Sequence, residues 1–478
     1  MIPPAEAVAN ARAAQPAWNA IGPAARLDRL KQLRHAIAGH ADELAQALAA
    51  IPGRDASLSL TTEIAPLADA IGFLEREALG LLRPRHLGAR GRPVWLFGHQ
   101  AEIHRAPLGV VLAIGPSNYP LMLPGIQALQ ALAAGNAVVV KPGTNGRAAL
   151  LVLARLAAEA GIDARLMPVL EETPEDARAA IAAGVDKVVL TGGVRAGRAI
   201  LQELAGRLVP ATMELSGSDA VFVLPGANVE LAAKALVWGL TLNAGATCIA
   251  PRRVFAPRDV MPALQDKLRA LLAGLKPQSV AKQAADNAIR LAEDAIAAGA
   301  KPLLPWSKPG ANAPFPPLIL KDANPGMALL KEDVFAPVLS LVAVEGPEQA
   351  LAWDAECPYA LGASVFGPPD AARDFALRVR AGVVTINDLI APTADPRLPF
   401  GGSGLSGFGR TRGAEGLLEM TAAKVVTIRR GGFRPHLDGG DSADLARGYL
   451  SAAHGASLSE RLRGLMAMLK AMRRRKKN

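Results

Sequence analysis

Cys248 is one of only two cysteines in the 478-residue chain, and small residues surround it. Residues 243–253 read NAGATCIAPRR, a setting that leaves the sulfur approachable. A thiolate in such a setting is suited to attack a carbonyl carbon and to hold the product covalently. A lone cysteine is more often a small buried hydrophobe, so a nucleophile here requires chemical partners elsewhere in the chain.

Two short segments contain residues that could assist such a nucleophile. Asn118 lies within GPSNYP at 115–120, and a side-chain amide can donate a hydrogen bond to an oxyanion. Glu214 lies within MELSG at 213–217, where small apolar neighbours would raise the carboxyl pKa toward that of a general base. The plainer interpretations are a turn asparagine and a solvated carboxylate at a strand end.

The elements around these segments indicate an α/β fold. Three apolar strands are predicted at 110–114, 137–140 and 187–190, each ending in a turn with Gly or Pro, with Ala- and Leu-rich helices between them. Continuous apolar strands alternating with helices predict a parallel sheet covered on both faces. Ligands of such sheets bind at the carboxyl ends of the strands, so the three turns predict one pocket wall.

Other parts of the chain have different patterns. The first eighty or so residues have helical periodicity, 88–105 suggests a protruding hairpin, and 431–442 is a linker rich in Gly, Pro and Asp. A second α/β region runs from about 218 to about 405. Its predicted strands are 221–224, 339–344 and 383–386.

The composition limits the classes of protein to consider. Half of the residues are hydrophobic and the mean hydropathy is +0.21, so the chain can bury a large core in two or three domains. Two cysteines exclude a disulfide framework and suit a reducing compartment. The first residues do not read as a signal peptide, and no apolar stretch reaches membrane-spanning length, so a cytoplasmic protein is expected.

The net charge of +10 is concentrated at the carboxyl terminus. From Arg461 onward there are eight basic residues and no acidic one, which leaves a net charge of only +2 elsewhere. A nearly neutral body argues against a nucleic-acid partner. Between 458 and 478, apolar residues recur at three- and four-residue steps among the basic ones, a pattern typical of a helix on an anionic membrane. The alternatives are a solvated tail or a helix docked on the subunit.

Seven motifs occur in a fixed order along the chain. They are GPSNYP at 115–120, VKPGT at 140–144, LTGG at 190–193 with Gly197, MELSG at 213–217, the Cys248 segment, EDVFAPV at 332–338 and PFGGSGLSGFGR at 399–410. Together they resemble the aldehyde dehydrogenase superfamily over about residues 8–430. The resemblance implies an α/β fold with a Rossmann-type parallel-sheet cofactor domain, a second α/β catalytic domain and a small β oligomerisation arm.

The resemblance also implies domain bounds and an oligomer. Residues 1–216 would form the NAD(P)-binding domain, with 87–106 in the arm, and 217–405 the catalytic domain. Residues 406–430 would return to the cofactor domain and arm, and 431–478 would form a linker and a basic amphipathic tail. A homodimer or homotetramer is expected.

By the same resemblance, the protein oxidises an aldehyde to a carboxylic acid with NAD or NADP. Cys248 would form a thiohemiacetal and then a thioester, while Asn118 and the Cys248 backbone N–H hold the oxyanion. Glu214 would act as the base for thioester hydrolysis, and Tyr119 and Phe400 would line the substrate pocket. No metal is expected, and the aldehyde itself, long-chain or otherwise apolar, is left open.

The cofactor positions are also carried over by resemblance. They are Ile114, Gly115, Pro116, Ser117, Lys141, Thr144, Gly192, Gly193, Gly197, Leu215, Asp333 and Phe335. Thr144 stands where many NAD-preferring relatives have a glutamate that repels a 2′-phosphate, so NADP is admissible. Asp333 is one methylene shorter than the family's glutamate, and Gly193 replaces a frequent serine.

Two other functions remain open from the sequence. A CoA-acylating aldehyde dehydrogenase or acyl-CoA reductase would resolve the thioester with a thiol, but such relatives generally lack the base that Glu214 matches. A non-catalytic structural protein on this fold would not need Asn118, Glu214 and Cys248 together. Cys357 has no accompanying motif and is expected to be structural.

Overall fold

A computed structural model describes residues 2–310, 313–432, 434, 436–437 and 443–475. The chain divides into two compact units. One comprises Met1–Arg83 and Arg105–Ala423, and the other comprises Pro84–His104 and Lys424–Asn478. The expected linker at 431–442 lies largely outside the described residues.

The first 214 residues begin with five helices and continue into alternating strands and helices. These elements are α1 (Pro4–Ala20), α2 (Gly22–Gly39), α3 (Ala41–Leu48), α4 (Ala56–Ser59), α5 (Ala65–Leu82), β1 (Arg85–Leu87), β2 (His99–Pro107), β3 (Val110–Ile114), α6 (Met122–Ala133), β4 (Ala137–Lys141), α7 (Arg147–Glu159), α8 (Pro174–Ala182), β5 (Lys187–Thr191), α9 (Val194–Ala205) and β6 (Ala211–Glu214). A π-helical turn, Leu60–Ile64, joins α4 to α5.

The remaining elements form a second α/β region, a return segment and two terminal helices. They are β7 (Asp219–Val223), α10 (Val229–Thr241), β8 (Pro251–Pro257), α11 (Met261–Leu272), α12 (Lys282–Ala297), β9 (Lys301–Pro302), β10 (Leu318–Lys321), β11 (Val338–Val344), α13 (Pro347–Asp354), β12 (Tyr359–Ala360), β13 (Gly362–Phe366), α14 (Pro369–Ala376), β14 (Val383–Ile386), β15 (Ser403–Gly404), β16 (Gly407–Phe408), α15 (Gly413–Glu419), β17 (Thr421–Arg429), α16 (Ala443–His454) and α17 (Leu458–Arg475).

The first sheet has the order β16-β6-β5-β3-β4. Strands β6, β5, β3 and β4 are parallel, and β3, β4 and β5 are buried along their whole length. The predicted parallel sheet is therefore confirmed, since runs of Val, Leu and Ala are buried on both faces. Ile114 lies opposite Lys141 and Thr191 lies opposite Glu214, so the carboxyl ends of the strands lie along one edge.

The second sheet has the order β14-β13-β7-β8-β11-β10-β9, parallel except for the short edge strand β9. Alternate residues of β7 enter two different cores: Ala220 and Phe222 pack in one, and Val221 and Val223 in the other. A strand with an apolar core on each face reads as a continuous apolar run, which is how the sequence presents it. After this sheet the chain returns to the first one, because β16 pairs with β6.

The smaller unit contains a three-stranded sheet in the order β1-β2-β17. Its antiparallel pair β1 and β2 is the hairpin predicted around 88–105. Helices α16 and α17 pack closely together, since a Cβ on Gly448 would lie 2.6 Å from the backbone N of Met468. Among the described residues no helix is long and apolar enough to cross a membrane.

Candidate active site

The segment before Cys248 is a tight reversal built from left-handed residues. Helix α10 ends at Thr241, and Asn243, Ala244 and Gly245 follow with φ of 51°, 54° and 74°. Positive φ is costly for residues with a Cβ, and such conformations concentrate at functional sites. At Gly245 a Cβ would lie 2.5 Å from the carbonyl carbon of Ala336, so glycine is required there.

Arg252 connects residues 243–247, the loop before Cys248, to the loop that carries Asp333 and Phe335. Its guanidinium donates to the carbonyl of Gly245 and also to those of Ala336, at 2.7 Å, and Val338, at 3.3 Å. A buried guanidinium with several carbonyl acceptors is a rigid cross-link, because its donors form a planar fork. The loop before Cys248 is therefore held on both sides.

Cys248 is half-buried, and its side chain packs against Phe400 and its neighbours. Burial raises the pKa of the Cys248 thiol, and the nearby carboxyl groups of Glu214 and Asp219 raise it further. The guanidinium of Arg412 acts in the opposite direction. Burial and these carboxyl groups therefore oppose formation of the Cys248 thiolate, and the nearby guanidinium favours it.

Asn118 is fixed through both ends of its side-chain amide. Its Nδ2 donates to the carbonyl of Ala246 at 3.0 Å, and its Oδ1 accepts from the backbone N–H of Tyr119 at 3.0 Å. Asn243 donates to the backbone carbonyl of Asn118 at 3.1 Å. The amide expected to hold an oxyanion is thus connected directly to the loop before Cys248, only two residues from the cysteine.

A buried ion pair holds the Asn118 segment from the other side. Arg54 and Glu63 are 3.0 Å apart, and both side chains are inaccessible to solvent. The second oxygen of Glu63 accepts from the backbone N–H groups of Leu121, at 2.9 Å, and Met122, at 2.8 Å, at the start of α6. Arg54 also donates to the carbonyl of Asn118 at 2.5 Å.

Glu214 has far fewer partners. It ends β6 and is buried, its Oε2 accepts from the Thr191 hydroxyl at 3.2 Å, and its Oε1 has no partner among the described residues. Gln127 donates to the same hydroxyl at 2.8 Å. Burial raises the pKa of Glu214, against the opposing effects of Arg412 and Thr191. A lightly held carboxyl with a raised pKa suits a group that gains and loses a proton.

Two cavities meet at Cys248 and Glu214. One, of about 790 Å³, has a largely apolar lining that includes Tyr119, Met122, Leu123, Trp238, Leu242, Ile249, Ile390 and Phe400. The other, of about 740 Å³, follows the carboxyl ends of the first sheet. Both cavities have Cys248 and Glu214 in their walls, so a reactant in either one can reach the same sulfur and the same carboxyl group.

The second cavity contains most of the positions expected to bind the cofactor. Pro116, Ser117, Thr144, Gly192, Gly193, Leu215, Asp333 and Phe335 line it, together with Asn118. Ile114, Gly115, Lys141 and Gly197 are not in its wall. Gly197 instead packs against Leu215, because a Cβ there would lie 2.8 Å from the leucine side chain.

The glycine turn after β5 leaves open space at a helix start. Helix α9 begins directly after Gly193, which provides no side-chain cap for its N–H groups. A Cβ on Gly192 or Gly193 would meet no atom closer than 3.8 Å, so the protein itself does not fill this corner. An uncapped helix N-terminus favours a negatively charged ligand.

Several residues of the site were missed by the sequence analysis. Arg54 and Glu63 lie far from any motif, and Thr191 was treated only as part of a turn. Arg412 follows the last motif, and its side chain lines the apolar cavity. One signal was available: an arginine within a segment of small and apolar residues indicates either a buried pair or a functional cation.

The described residues contain no group of three or more His, Cys, Asp or Glu side chains that could hold a metal ion. Cys357 is 2% exposed and lies away from both cavity walls.

Comparison with known proteins identifies the class. The sequence profile of the Aldehyde dehydrogenase family matches residues 5–426. The 4,4'-diapolycopene aldehyde oxidase of Methylomonas sp is 30% identical over 414 residues, covering 84% of this chain and 77% of that protein. The 4,4'-diaponeurosporen-aldehyde dehydrogenase of Staphylococcus aureus is 28% identical over 396 residues, covering 81% of this chain and 85% of that protein.

A solved structure agrees in fold. Aldehyde Dehydrogenase C from Pseudomonas syringae, complexed with NAD+ and octanal, superposes with a TM-score of 0.80 at 27% identity, covering 88% of each chain. The chain described here therefore belongs to the aldehyde dehydrogenase family. It is an enzyme of aldehyde oxidation.

Proposed function

We propose that the protein oxidises an aldehyde to a carboxylic acid with NAD(P)+ and water, through a thioester on Cys248. The meeting of two cavities at Cys248 and Glu214 carries this proposal. The first cavity places aromatic and aliphatic side chains beside Cys248 and suits an aldehyde, and the second follows the strand ends and suits a dinucleotide. The nucleophile and the base are the groups that both share.

The chain's own residues have distinct tasks in this reaction. The Cys248 sulfur bonds to the aldehyde carbon, and the resulting oxyanion accepts from the Asn118 amide and the Cys248 backbone N–H. The amide nitrogen of Asn118 carries two N–H groups, and its contact with Ala246 uses one of them. When bound, NAD(P)+ supplies the hydride acceptor. Water then attacks the thioester, Glu214 takes its proton, and the C–S bond breaks to release the acid.

The residues of the second cavity fit a dinucleotide. The pyrophosphate would be held at the uncapped start of α9, where Gly192 and Gly193 leave an open corner. Asp333 and Phe335 would hold the nicotinamide end, since they and Cys248 share this cavity. Lys141, which ends β4 and was expected to contact the adenosine ribose, lies outside the wall of this cavity.

Thr144 supports use of both NAD and NADP. It is exposed and lines the cofactor cavity, and it has no charge to repel a 2′-phosphate. Thr144→Glu should shift the ratio of kcat/KM values toward NAD. Rejection of NADP by the natural protein beyond about a thousandfold, roughly 4 kcal/mol, would contradict this assignment.

We propose an apolar aldehyde as the substrate. The lining of the first cavity includes the aromatic side chains of Tyr119, Trp238 and Phe400 and several aliphatic ones, together with polar residues. Two similar proteins are in keeping with this, because one is named as a 4,4'-diapolycopene aldehyde oxidase and the other is complexed with octanal. A panel of n-alkanals should give kcat/KM values that rise with chain length, because each buried methylene contributes about 0.8 kcal/mol. Equal values along the series would contradict an apolar subsite.

The CoA-acylating reaction is the alternative, and Glu214 favours hydrolysis over it. A buried carboxyl group beside the nucleophile serves to activate water and has no task when a thiol resolves the thioester. Product analysis with and without free CoA separates the two reactions. Free acid formed at the same rate in both would support hydrolysis, and strict dependence on CoA would overturn it.

Replacement of the nucleophile tests the core of the proposal. Cys248→Ala should abolish aldehyde oxidation and leave binding of NAD(P)H largely intact, since the cofactor cavity keeps its other walls. Cys357→Ala is the matched control, because it removes the other thiol, which is buried away from both cavities. Substantial oxidation by purified Cys248→Ala would overturn the assignment.

We further propose that α17 lies on anionic membrane surfaces. Leu458, Leu462, Leu465, Met466, Leu469 and Met472 are between 39% and 76% exposed and form one stripe. At 3.6 residues per turn, Arg461 flanks one edge of this stripe and Arg463 and Lys470 flank the other. An isologous contact between two copies would bring like charges together, whereas an anionic bilayer would neutralise them.

Vesicle flotation tests this membrane contact. The full chain should float with vesicles of phosphatidylglycerol but not with phosphatidylcholine, and Leu462→Glu with Leu469→Glu should remain at the bottom. Ala467→Glu, on the opposite side of the helix, is the control. Equal flotation of all three proteins, or a smaller oligomer in place of lost flotation, would overturn the proposal.

We also propose that the protein is a homodimer or homotetramer assembled through the smaller sheet. Val94, Trp95, Phe97, Val425 and Ile428 expose large apolar surfaces in this unit. Exposed apolar clusters of this kind mark protein contacts. Light scattering should show an oligomer that Phe97→Glu weakens, and a monomeric natural protein would contradict the proposal.

A further inference from the structure

Arg412 is a buried cation with few partners. It is 7% exposed, and its one hydrogen-bond acceptor in the described part of the chain is the carbonyl of Thr393, at 2.7 Å. Its guanidinium carbon lies 4.3 Å from the centroid of the Phe400 ring, and its Nε has no partner. A buried charge is costly unless it is paired, so an anion that forms close to this group would be stabilised by it.

The other buried arginines of the molecule are better satisfied. Arg54 pairs with Glu63 at 3.0 Å, and Arg253 pairs with Asp354 at 2.8 Å. Arg26 and Arg252 each donate to more than one backbone carbonyl. Of the five, Arg412 has neither a carboxylate partner in the described residues nor a second acceptor.

The backbone of Arg412 adopts a conformation that is normally reserved for glycine. Its φ is 59° and its ψ is 173°, at the residue that precedes α15. Such a conformation costs of order 1–3 kcal/mol and persists where the surroundings enforce it. Gly413 follows with φ of 60°. This strained turn directs the Arg412 side chain into the wall of the apolar cavity, beside Phe400.

Two groups that can become anions, the thiol of Cys248 and the carboxyl group of Glu214, lie near Arg412. Cys248 and Glu214 line the same cavity, and both couple electrostatically to the Arg412 charge. Resting on the function proposed above, we propose that Arg412 is a positioning residue for the oxidation. Its fixed positive charge stabilises the thiolate of Cys248 and the carboxylate of Glu214, which line the same cavity.

The remaining charged and titratable groups around Cys248 show why a cation is needed. Glu214 and Asp219 face it and oppose formation of the thiolate. Tyr119 is a neutral phenol whose hydroxyl bonds to Thr247 at 2.6 Å, and the charge of Arg252 is directed to backbone carbonyls. Through its charge, Arg412 opposes the effect of burial on the pKa of Cys248, and Arg252 also interacts with Cys248 through its charge.

Thiol alkylation tests this role without requiring turnover. The rate of Cys248 alkylation by iodoacetamide is measured against pH in the full chain, with Cys357→Ala as the common background. Arg412→Gln removes the charge but keeps a donor for Thr393. It should move the midpoint of the alkylation profile upward by about one pH unit. At a pH below both midpoints, the variant would then have about a tenth of the thiolate fraction of the parent protein. Arg412→Lys should restore most of the difference.

The matched control is Arg397→Gln, in the same segment. Arg397 is 73% exposed and pairs with Asp395 at 2.5 Å, so its loss should leave the alkylation profile unchanged. Thermal melting of each variant separates a fold defect from a change in thiol reactivity. A stably folded Arg412→Gln with the wild-type midpoint would overturn the proposal.

Turnover adds a second, independent measurement. With a neutral n-alkanal, Arg412→Gln should lower kcat by tenfold or more while KM changes little. An unchanged kcat for neutral aldehydes, with KM raised only for aldehydes that carry a carboxylate, would make Arg412 a substrate anchor and overturn the positioning role. Failure of the proposed function is distinguishable, because Cys248→Ala would then retain oxidation whatever the Arg412 variants do.

Discussion

The two sides of the proposed active site, that of Asn118 and that of Glu214, are held with different rigidity. Asn118 is held by Tyr119, Ala246 and Asn243, and its segment is clamped by the buried pair of Arg54 and Glu63. Glu214 has a single hydrogen bond of 3.2 Å, from Thr191, and a second oxygen without a partner in the described structure. One side is immobilised by at least five contacts, whereas the other is nearly free.

This difference is in keeping with the roles proposed for Asn118 and Glu214. An oxyanion donor is most effective when its dipole is oriented in advance, because no reorganisation is then needed as charge develops. A general base has to exchange a proton with water and to approach the thioester, so a full set of fixed bonds would hinder it.

Glu214→Gln should have the largest effect. The substitution removes the base but keeps the size, so thioester hydrolysis should slow by about a hundredfold to ten-thousandfold. Rapid-mixing measurements should show a burst of NAD(P)H followed by a slow steady state. Steady turnover equal to the wild type, or loss of the burst itself, would show that Glu214 does not act in deacylation.

Glu63→Gln should break the immobilised side. It removes the carboxylate that pairs with the buried Arg54 charge, which costs about 3–5 kcal/mol of unfolding free energy. Urea unfolding measures this loss, and the burst amplitude should also fall as Asn118 loses its clamp. Glu348→Gln is the control, because its ion pair with Arg378 is exposed and should change nothing measurable.

The pH dependence should separate the two sides. The pKa of Glu214 is raised by burial, and the base acts only when ionised, so hydrolysis should rise tenfold per pH unit up to that pKa and then level off. The midpoint should lie above the ordinary glutamate value of about 4.3. An asparagine amide does not titrate, so the rise of the hydrolysis rate with pH should disappear in Glu214→Gln. A rise that persists in this variant would contradict the assignment to Glu214.

Thr191→Val should have the smallest effect. Its hydroxyl donates to Glu214 and favours the ionised form, so the variant should raise the pH midpoint of hydrolysis. A lost hydrogen bond of about 1 kcal/mol corresponds to roughly a fivefold decrease in rate below the midpoint. Thr212→Val removes a similar bond, to Glu419 at 3.0 Å, and serves as the control. Equal pH profiles of hydrolysis in Thr191→Val and Thr212→Val would show that Thr191 does not influence Glu214.

The sequence predicted the elements that depend on local information. The strands at 110–114 and 187–190 are observed as β3 and β5, because an uninterrupted apolar run has few alternatives to a buried strand. The motif around Cys248 likewise indicated a nucleophile, since its small residues and its order among other motifs are visible in one dimension. The residues that share a cavity with Cys248 and Glu214 include most of those predicted for the cofactor.

The contacts of Asn118, Thr191 and Cys248 with residues distant in the sequence are visible only in the tertiary structure. Arg54 reaches Asn118 across 64 positions of the chain, and Gln127 reaches Thr191 across 64. Arg412 is 164 positions beyond Cys248 in the sequence, yet both lie in one cavity wall.

Periodicity and motifs are properties of neighbouring residues, and they predicted the type of fold and pointed to Cys248, Glu214 and Asn118 as candidate reacting groups. The tertiary structure decided which of these groups is clamped, which is free, and which buried charge lies close enough to act. The physical reason is that burial and electrostatic interaction depend on distance through space, and chain separation does not report that distance.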